Sequence, residues 1–253
     1  MQINEQNRFA YGTTTTRSQA ELDQGLRTFM LGVYNNMVLG LAITGFVALG
    51  TYMLATTTAA DGSLALTAFG AAVYTSPLRW VLMLSPLAFI FFFSFKIESL
   101  KPTTAQMMFF AFSALMGISM SSIFLIYTGQ SIVQVFFITA AAFGGLSLYG
   151  YTTTRSLSGM GSFLIMGLIG LILAMVVNIF LQSSAMGFAV SVLGVLIFAG
   201  LTAWDTQRLK DMYVMGNMDA ATAGRASVMG ALSLYLNFIN MFQFLLALLG
   251  NRE

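Results

Sequence analysis

Cysteine and histidine are both absent from this chain of 253 residues, and proline occurs at only 3 positions. Without cysteine there can be no disulfide, no thiolate metal site and no cysteine nucleophile. Without histidine as well, zinc ligation and histidine general-base chemistry are excluded. The sequence also contains no glycine-rich phosphate loop and no GxSxG element. Because no pair of nucleophile and base can be assembled from these residues, we expect that the chain is not an enzyme.

Charged residues are scarce, at 8% of the chain, whereas 57% of the residues are hydrophobic and the mean hydropathy is +0.81. A soluble globular chain carries about 25% charged residues. Runs without any charge occupy residues 28–60, 80–95, 102–154, 156–204 and 226–251. A helix crosses the roughly 30 Å hydrocarbon core of a bilayer with about 20 apolar residues. The composition therefore predicts an all-α integral membrane protein in contact with the lipid bilayer.

The two longest runs must each contain two membrane spans joined by a reversal. Turn-forming residues cluster at Thr128-Gly129-Gln130-Ser131 and at Gln182-Ser183-Ser184, where the density of apolar residues drops. The sequence thus predicts a bundle of seven spans, near residues 28–55, 77–95, 105–127, 132–151, 160–181, 185–207 and 228–249. The chain is predicted to consist of a polar N-terminal arm over 1–27 and one membrane domain over 28–253. Within that domain, the segment from Gln207 to Ser227 is predicted to be a loop.

Lysine and arginine are distributed unevenly between the two ends of these spans. The loops after spans 2, 4 and 6 carry Lys96, Lys101, Arg155, Arg208, Lys210 and Arg225, and the arm carries three more arginines. The loops after spans 1, 3 and 5 carry none, unless Arg79 at the start of span 2 is counted. Because cytoplasmic loops are enriched in these residues, the N-terminus is predicted to be cytoplasmic and the C-terminus to lie on the other side. A re-entrant last helix is the alternative. The basic residues are scattered, so they predict no nucleic-acid partner.

Span 7 combines an uncharged run of 22 residues with a polar stripe of Ser233, Asn237 and Asn240 at helical spacing. Hydrocarbon cannot form hydrogen bonds with an amide, so the stripe is expected to face other protein or a wet cavity. The spacing therefore predicts that this last helix is central in the bundle and functional.

Asp205 is the acid closest to the membrane interior, about one turn inside the predicted cytoplasmic end of span 6. An acid within a membrane span is a candidate for function because its charge is costly in lipid. An interfacial ion pair with Arg208, three residues later, is an equally good interpretation. Asn237 lies at a depth that allows it to meet Asp205, and Lys96, at the end of span 2, is the cation at matching height. Taken alone, Lys96 is also typical of a lysine at a helix end whose ammonium group snorkels to the membrane–water interface.

The run Ala231-Leu232-Ser233-Leu234-Tyr235-Leu236-Asn237-Phe238-Ile239-Asn240-Met241-Phe242, together with Trp204-Asp205-Thr206-Gln207, resembles the signature of the Bax inhibitor-1 family, also called the transmembrane Bax inhibitor motif proteins. The resemblance extends to the seven spans, the polar arm and Pro86-Leu87-Ala88 in span 2. The chain is most similar to bacterial members, which implies an inner-membrane location.

The resemblance implies a seven-helix bundle with the last helix at the centre, which acts as a pH-sensitive calcium leak. In that family one acid on helix 6 and one on helix 7 share a proton at the cytoplasmic mouth, and a cation on helix 2 pairs with them. Asp205 matches the first acid, Asn237 stands where the second is expected, and Lys96 is the geometric choice for the cation. A pair of Asp205 and Asn237 lacks the repulsion that two carboxylates in contact would have. The side-chain carbonyl oxygen of Asn237 can still bind calcium together with the carboxylate of Asp205.

Two functions from different classes follow from these observations. The first is a leak for calcium or another cation, with no other cofactor, through a route lined by Ser233, Asn237 and Asn240. The second is a membrane interaction protein that modulates a membrane protease or another complex, a role that the resemblance also implies. Secondary transport is disfavoured, because the sequence shows neither inverted repeats nor helices interrupted by glycine and proline.

Overall fold

The computed structural model describes residues 19–216 and 218–252. Their α-helices are α1 (Gln19–Ala55), α2 (Ala68–Tyr74), α3 (Leu78–Lys96), α4 (Pro102–Met120), α5 (Gly129–Thr152), α6 (Ser158–Leu181), α7 (Ser184–Met215) and α8 (Ala220–Leu249). A short 3-10 turn follows α3 at Ile97–Ser99, and another follows α4 at Ser121–Leu125. Among the described helices, seven are long and apolar enough to cross a membrane, namely all except α2. The predicted fold class and number of spans are confirmed.

Both predicted reversals are confirmed by helix caps. Thr128 precedes α5, and its hydroxyl oxygen accepts a hydrogen bond from the backbone N–H of Ser131 at 3.3 Å. Between α6 and α7, Gln182 adopts a left-handed conformation with φ 49°, and the hydroxyl of Ser183 accepts from the N–H of Met186. Each cap satisfies a donor that the first turn of a helix leaves without an intrahelical partner.

The connection between α1 and α3 contains the β-structure of the described chain. Strand β1 (Thr56–Thr58) pairs with strand β2 (Leu64–Leu66) in an antiparallel hairpin, with Thr57 opposite Ala65. Gly62 has φ +82° in the turn, a conformation that favours glycine. The hairpin leads into α2, which packs on α1 and α3.

Helix α8 is the centre of the bundle. It packs against α1, α4, α5 and α7. In its most apolar stretch of 18 residues, 50% of the residues are buried, compared with at most 33% in the corresponding stretch of any other described span. Tyr235, Leu234 and Phe238 on α8 are almost completely buried. In contrast, α3 packs mainly on α4, and α6 packs on α7 at the periphery.

Asn251 and Arg252, which follow α8, lie at the start of α5. The N–H of Thr128 donates to the carbonyl oxygen of Asn251 at 3.0 Å, and the N–H of Asn251 donates to the hydroxyl of Ser131 at 3.0 Å. The guanidinium of Arg252 lies over the ring of Tyr127. Because α5 begins at the end of the bundle away from Arg155, α8 crosses the whole bundle, and the re-entrant alternative is wrong.

Several helices extend beyond the predicted spans. The segment predicted as a loop between Gln207 and Ser227 is wrong over most of its length, because α7 continues to Met215 and α8 begins at Ala220. Charged residues ended the apolar run there, but arginine and lysine favour helix as strongly as many apolar residues. Of the predicted arm, residues 19–27 form the first turns of α1, and residues 1–18 lie outside the described residues.

Candidate functional site

Asp205 on α7 is bound by two residues of the central helix. Its Oδ2 accepts a hydrogen bond from the hydroxyl of Ser233 at 2.8 Å and another from the amide nitrogen of Asn237 at 2.7 Å. Ser233 and Asn237 are four residues apart on α8, so their side chains lie on one face of the helix. We call Asp205, Ser233 and Asn237 the acid site. The structure thus brings together three residues of the sequence prediction.

Two glycines allow α7 to approach its neighbours beside the acid site. A Cβ atom added to Gly150 on α5 would overlap the carbonyl group of Ala203, two residues before Asp205. A Cβ atom on Gly230 of α8 would lie 2.7 Å from Cδ2 of Leu209. These close contacts hold α7 between α5 and α8, and the short distance between helix axes lets the short side chain of Asp205 reach two partners.

The cation nearest to the acid site is Arg208. Its Nη1 lies 3.9 Å from Oδ1 of Asp205, and its guanidinium stacks 5.4 Å from the ring of Trp204. The Arg208 side chain is 63% exposed, compared with 7% for Asp205. The pair with Arg208 that the sequence offered as an alternative is therefore present, although an ion pair this exposed contributes little to stability.

Two predicted residues do not join the acid site. Lys96 is exposed at the end of α3, and among the described residues it forms no ion pair with Asp205. The physical reason is that α3 packs on α4 rather than on α7 or α8. Asn240 is half-buried, and its amide donates to the carbonyl oxygen of Leu236 in its own helix at 2.8 Å. Neither residue therefore contacts the acid site, and the roles in an ion pathway expected of them stay predictions.

A cavity of about 580 Å³ connects the acid site with the basic end of the bundle. We use the term basic end for the end that holds Lys96, Lys101, Arg155, Arg208, Lys210 and Arg225. Asp205 and Ser233 line the cavity, as do Arg208 and Arg225. Asn237 is buried behind them. A small cation can thus reach one face of the carboxylate from this end.

A family model described as the inhibitor of apoptosis-promoting Bax1 matches residues 26–253. The chain belongs to the Bax inhibitor-1 family. It is 47% identical over 253 residues to a protein of Caulobacter vibrioides, with 99% of this chain and 100% of that one covered. It is 43% identical over 240 residues to a protein of Rickettsia prowazekii, with coverage of 95% and 96%. It is also 43% identical over 231 residues to the inner membrane protein YbhL of Escherichia coli, with coverage of 90% and 94%.

This Bax inhibitor-1 family member is therefore a multi-pass protein of the bacterial inner membrane. Seven candidate spans and a relative named as an inner membrane protein agree on that location.

Sequence reasoning missed the role of the first turns of α8 in this family member. Arg225, predicted in a loop, is on α8, lines the cavity and donates to the hydroxyl of Thr222 at 3.1 Å. Asp219 caps the helix, and hydrogen bonds from Thr222 lower the pKa of its carboxyl group. The available signal was Asp219 directly before Ala220-Ala221, because aspartate is a preferred N-cap residue and alanine a strong helix former.

The acid site can act on a cation only through oxygen ligands. Asp205 offers its carboxylate and Ser233 its hydroxyl, and Asn237 offers a carbonyl oxygen when its amide turns over. In the described state the nitrogen of that amide faces the carboxylate. Calcium takes about six to eight oxygen ligands, so these side chains could supply part of a shell and water the rest. The site suits a passing hydrated cation better than a permanently bound one.

Proposed function

We propose that this chain is a leak for calcium or another cation in the inner membrane, with the acid site as its cytoplasmic entrance. The supporting observation is the buried carboxylate of Asp205 at the inner end of a cavity that opens at the basic end. A charge within a span is costly and is retained where it serves an ion route. The distribution of lysine and arginine makes the basic end cytoplasmic.

The described state is the closed one in this proposal. Both donors of the acid site bind the same oxygen of Asp205, and Arg208 lies beside the other oxygen. Leu234 and Phe238, which neighbour Ser233 and Asn237 on α8, are also buried. Conduction requires the guanidinium of Arg208 to move away and the amide of Asn237 to rotate, so that oxygen faces the cation. The exposed Arg208 side chain has the freedom for such a movement.

Calcium flux into proteoliposomes, followed with an entrapped fluorescent indicator, tests the proposal. We expect flux above that of empty liposomes. Asp205→Ala should reduce it at least about tenfold, because an interaction with a charged group is worth about 1.5 kcal/mol or more and each 1.4 kcal/mol corresponds to a factor of about ten. Asp211→Ala and Asp219→Ala are the controls, since neither residue lines the cavity. Equal losses for all three variants would contradict the assignment of Asp205.

The second candidate, a membrane interaction protein that modulates a protease or another complex, is favoured by the single carboxylate of the acid site. An Asp–Asn pair cannot share a proton between two acids, so the pH control implied by the family resemblance has no obvious chemical basis here. The measurement that separates the two functions is ion flux through the purified protein. If calcium, potassium and sodium all produce no flux at any pH from about 5 to 8, the leak is wrong and the interaction role is the remaining candidate.

A further inference from the structure

An apolar groove runs between α1 and α5 on the side of the bundle. These two helices both pack on α7 and α8 and make few direct contacts with each other. The space between them is about 1030 Å³. Its floor consists of buried side chains that include Met37, Phe143 and Phe238, whereas Val38 and Phe137 on its rims are exposed. The groove therefore opens sideways toward the hydrocarbon of the membrane.

The length of the groove matches the membrane. Its lining on α1 extends from Arg27 to Leu49, which are about 33 Å apart along the helix at 1.5 Å per residue. The hydrocarbon core is roughly 30 Å thick. Because α5 runs antiparallel to α1, Tyr151 lies at the Arg27 end and Ile132 at the Leu49 end. The hydrocarbon core is two leaflets thick, so an acyl chain of one leaflet needs about half of this length, roughly 15 Å. Such a chain fits along the membrane normal in the half of the groove at the Arg27 end.

The two ends of the groove differ in chemistry. At the basic end it is lined by Arg27, Tyr34, Ser147 and Tyr151, and the ammonium group of Lys210 donates to the carbonyl oxygen of Tyr151 at 3.0 Å. The opposite end is lined by Leu49, Ile132 and Val133. The lining contains no acid, and Asp23, one turn before Arg27, lies outside it. Charge therefore favours an anionic group at the basic end only.

We propose that this groove is a binding site for one anionic phospholipid of the cytoplasmic leaflet. Its phosphate lies at Arg27 and near Lys210, and one acyl chain extends over Phe143 and Phe238. The cytoplasmic leaflet is the negatively charged one, and each basic residue near it adds to the attraction. The site reaches the central helix, because Phe238 directly follows Asn237. Hydrogen bonds between the hydroxyls of Tyr34 and Ser147 at 2.6 Å, and between those of Ser147 and Thr206 at 3.0 Å, hold the floor of the groove at its basic end.

Native mass spectrometry of the full chain, released from detergent after titration with phosphatidylglycerol or phosphatidylcholine, tests the headgroup. We expect the chain to retain one molecule of phosphatidylglycerol and to retain phosphatidylcholine at least about fivefold less. This factor corresponds to about 1 kcal/mol, the attraction that one basic residue adds near an anionic membrane surface. Arg27→Gln should remove most of that preference, whereas Arg27→Lys should keep it. Lys101→Gln is the matched control, because Lys101 is exposed at the basic end but does not line the groove.

Two adjacent glycines of α5 test the acyl chain. A Cβ atom on Gly144 or on Gly145 meets no atom within 4 Å, so a side chain can begin at either position without a clash at its first carbon. Gly144 lines the groove and Gly145 does not. Gly144→Phe should therefore abolish retention of the lipid, and Gly145→Phe should leave it unchanged. Similar melting temperatures of the two variants in detergent show that both fold.

Three outcomes would overturn the proposal. Equal retention of the two phospholipids by the unmodified chain would mean that the groove does not select an anionic headgroup. Equal effects of Gly144→Phe and Gly145→Phe would place the lipid elsewhere on α5. A protein dimer that Gly144→Phe alone dissociates would identify a second copy of this chain as the occupant. None of these results depends on ion flux, so failure here is distinguishable from failure of the leak.

Discussion

The amide nitrogen of Asn237 lies 2.7 Å from Oδ2 of Asp205, and the amide donates the hydrogen bond. The hydroxyl of Ser233 donates to the same oxygen at 2.8 Å. A second carboxylate at position 237 could donate only if it carried a proton. Asparagine provides the donor at every pH, so the contact between α7 and α8 in this chain does not depend on protonation of residue 237.

Asn237→Asp should give calcium flux a pH dependence that the unmodified chain lacks. Two carboxylates in contact resist joint ionisation, so the pair would hold a shared proton and could lose it between about pH 6 and 8. Proteoliposome flux at half-unit pH intervals measures the effect, and Asn240→Asp is the control because Asn240 does not reach Asp205. A steep response of the unmodified chain in this window would mean that another group senses protons.

Arg208→Gln should increase cation flux, whereas Lys96→Gln should have little effect. Arg208 lies beside Asp205 and lines the cavity, but Lys96 is exposed and does not line it. An ion pair as exposed as this one is worth up to about 1 kcal/mol, and each 1.4 kcal/mol corresponds to a factor of about ten, so a change of several-fold is expected. If Lys96→Gln alone raises the flux, the cation on span 2 controls the entrance as the family resemblance implies.

Single cysteines on α8 should react with an aqueous thiol reagent according to the cavity. Ser233→Cys should react with a membrane-impermeant reagent added from the basic end, because Ser233 lines the cavity. Leu234→Cys and Asn237→Cys should not react, because both positions are buried. The chain has no cysteine of its own, so there is no background. Fast reaction at position 237 would show that the acid site is open in solution.

Thr44→Val should lower the melting temperature more than Tyr235→Phe. The hydroxyl of Thr44 contacts that of Tyr235 at 2.7 Å and also donates toward the carbonyl oxygen of Ser113, and both side chains are buried. Tyr235→Phe removes one hydrogen bond, at about 1 kcal/mol, and Thr44→Val leaves a buried phenol without a partner, at about 1 to 3 kcal/mol. Thermal unfolding in detergent compares the two variants. A larger effect of Tyr235→Phe would mean that the phenol has another role.

Much of the acid site could be predicted from residue spacing. Ser233 and Asn237 share a face because the helix has 3.6 residues per turn, and Asp205 is conspicuous because acids are rare within spans. Spacing did not show that Asn240 and Lys96 lie away from Asp205. Asn240 lies three residues after Asn237 and about 300° around the helix from it, yet its amide turns back to its own backbone. No spacing within one helix indicates that choice.

The sequence by itself determined the membrane location, the number of spans and their reversals. These properties follow from the hydrophobicity of each segment and from local caps, and both depend on residues close together in the chain. Tertiary structure decided which helices touch. Gly150 and Gly230 let α7 approach α5 and α8, so Asp205 meets Ser233 and Asn237, whereas Lys96 is on α3, which packs mainly on α4. The groove between α1 and α5 likewise depends on how both helices rest on α8, because the energy of helix packing depends on the shapes of distant side chains.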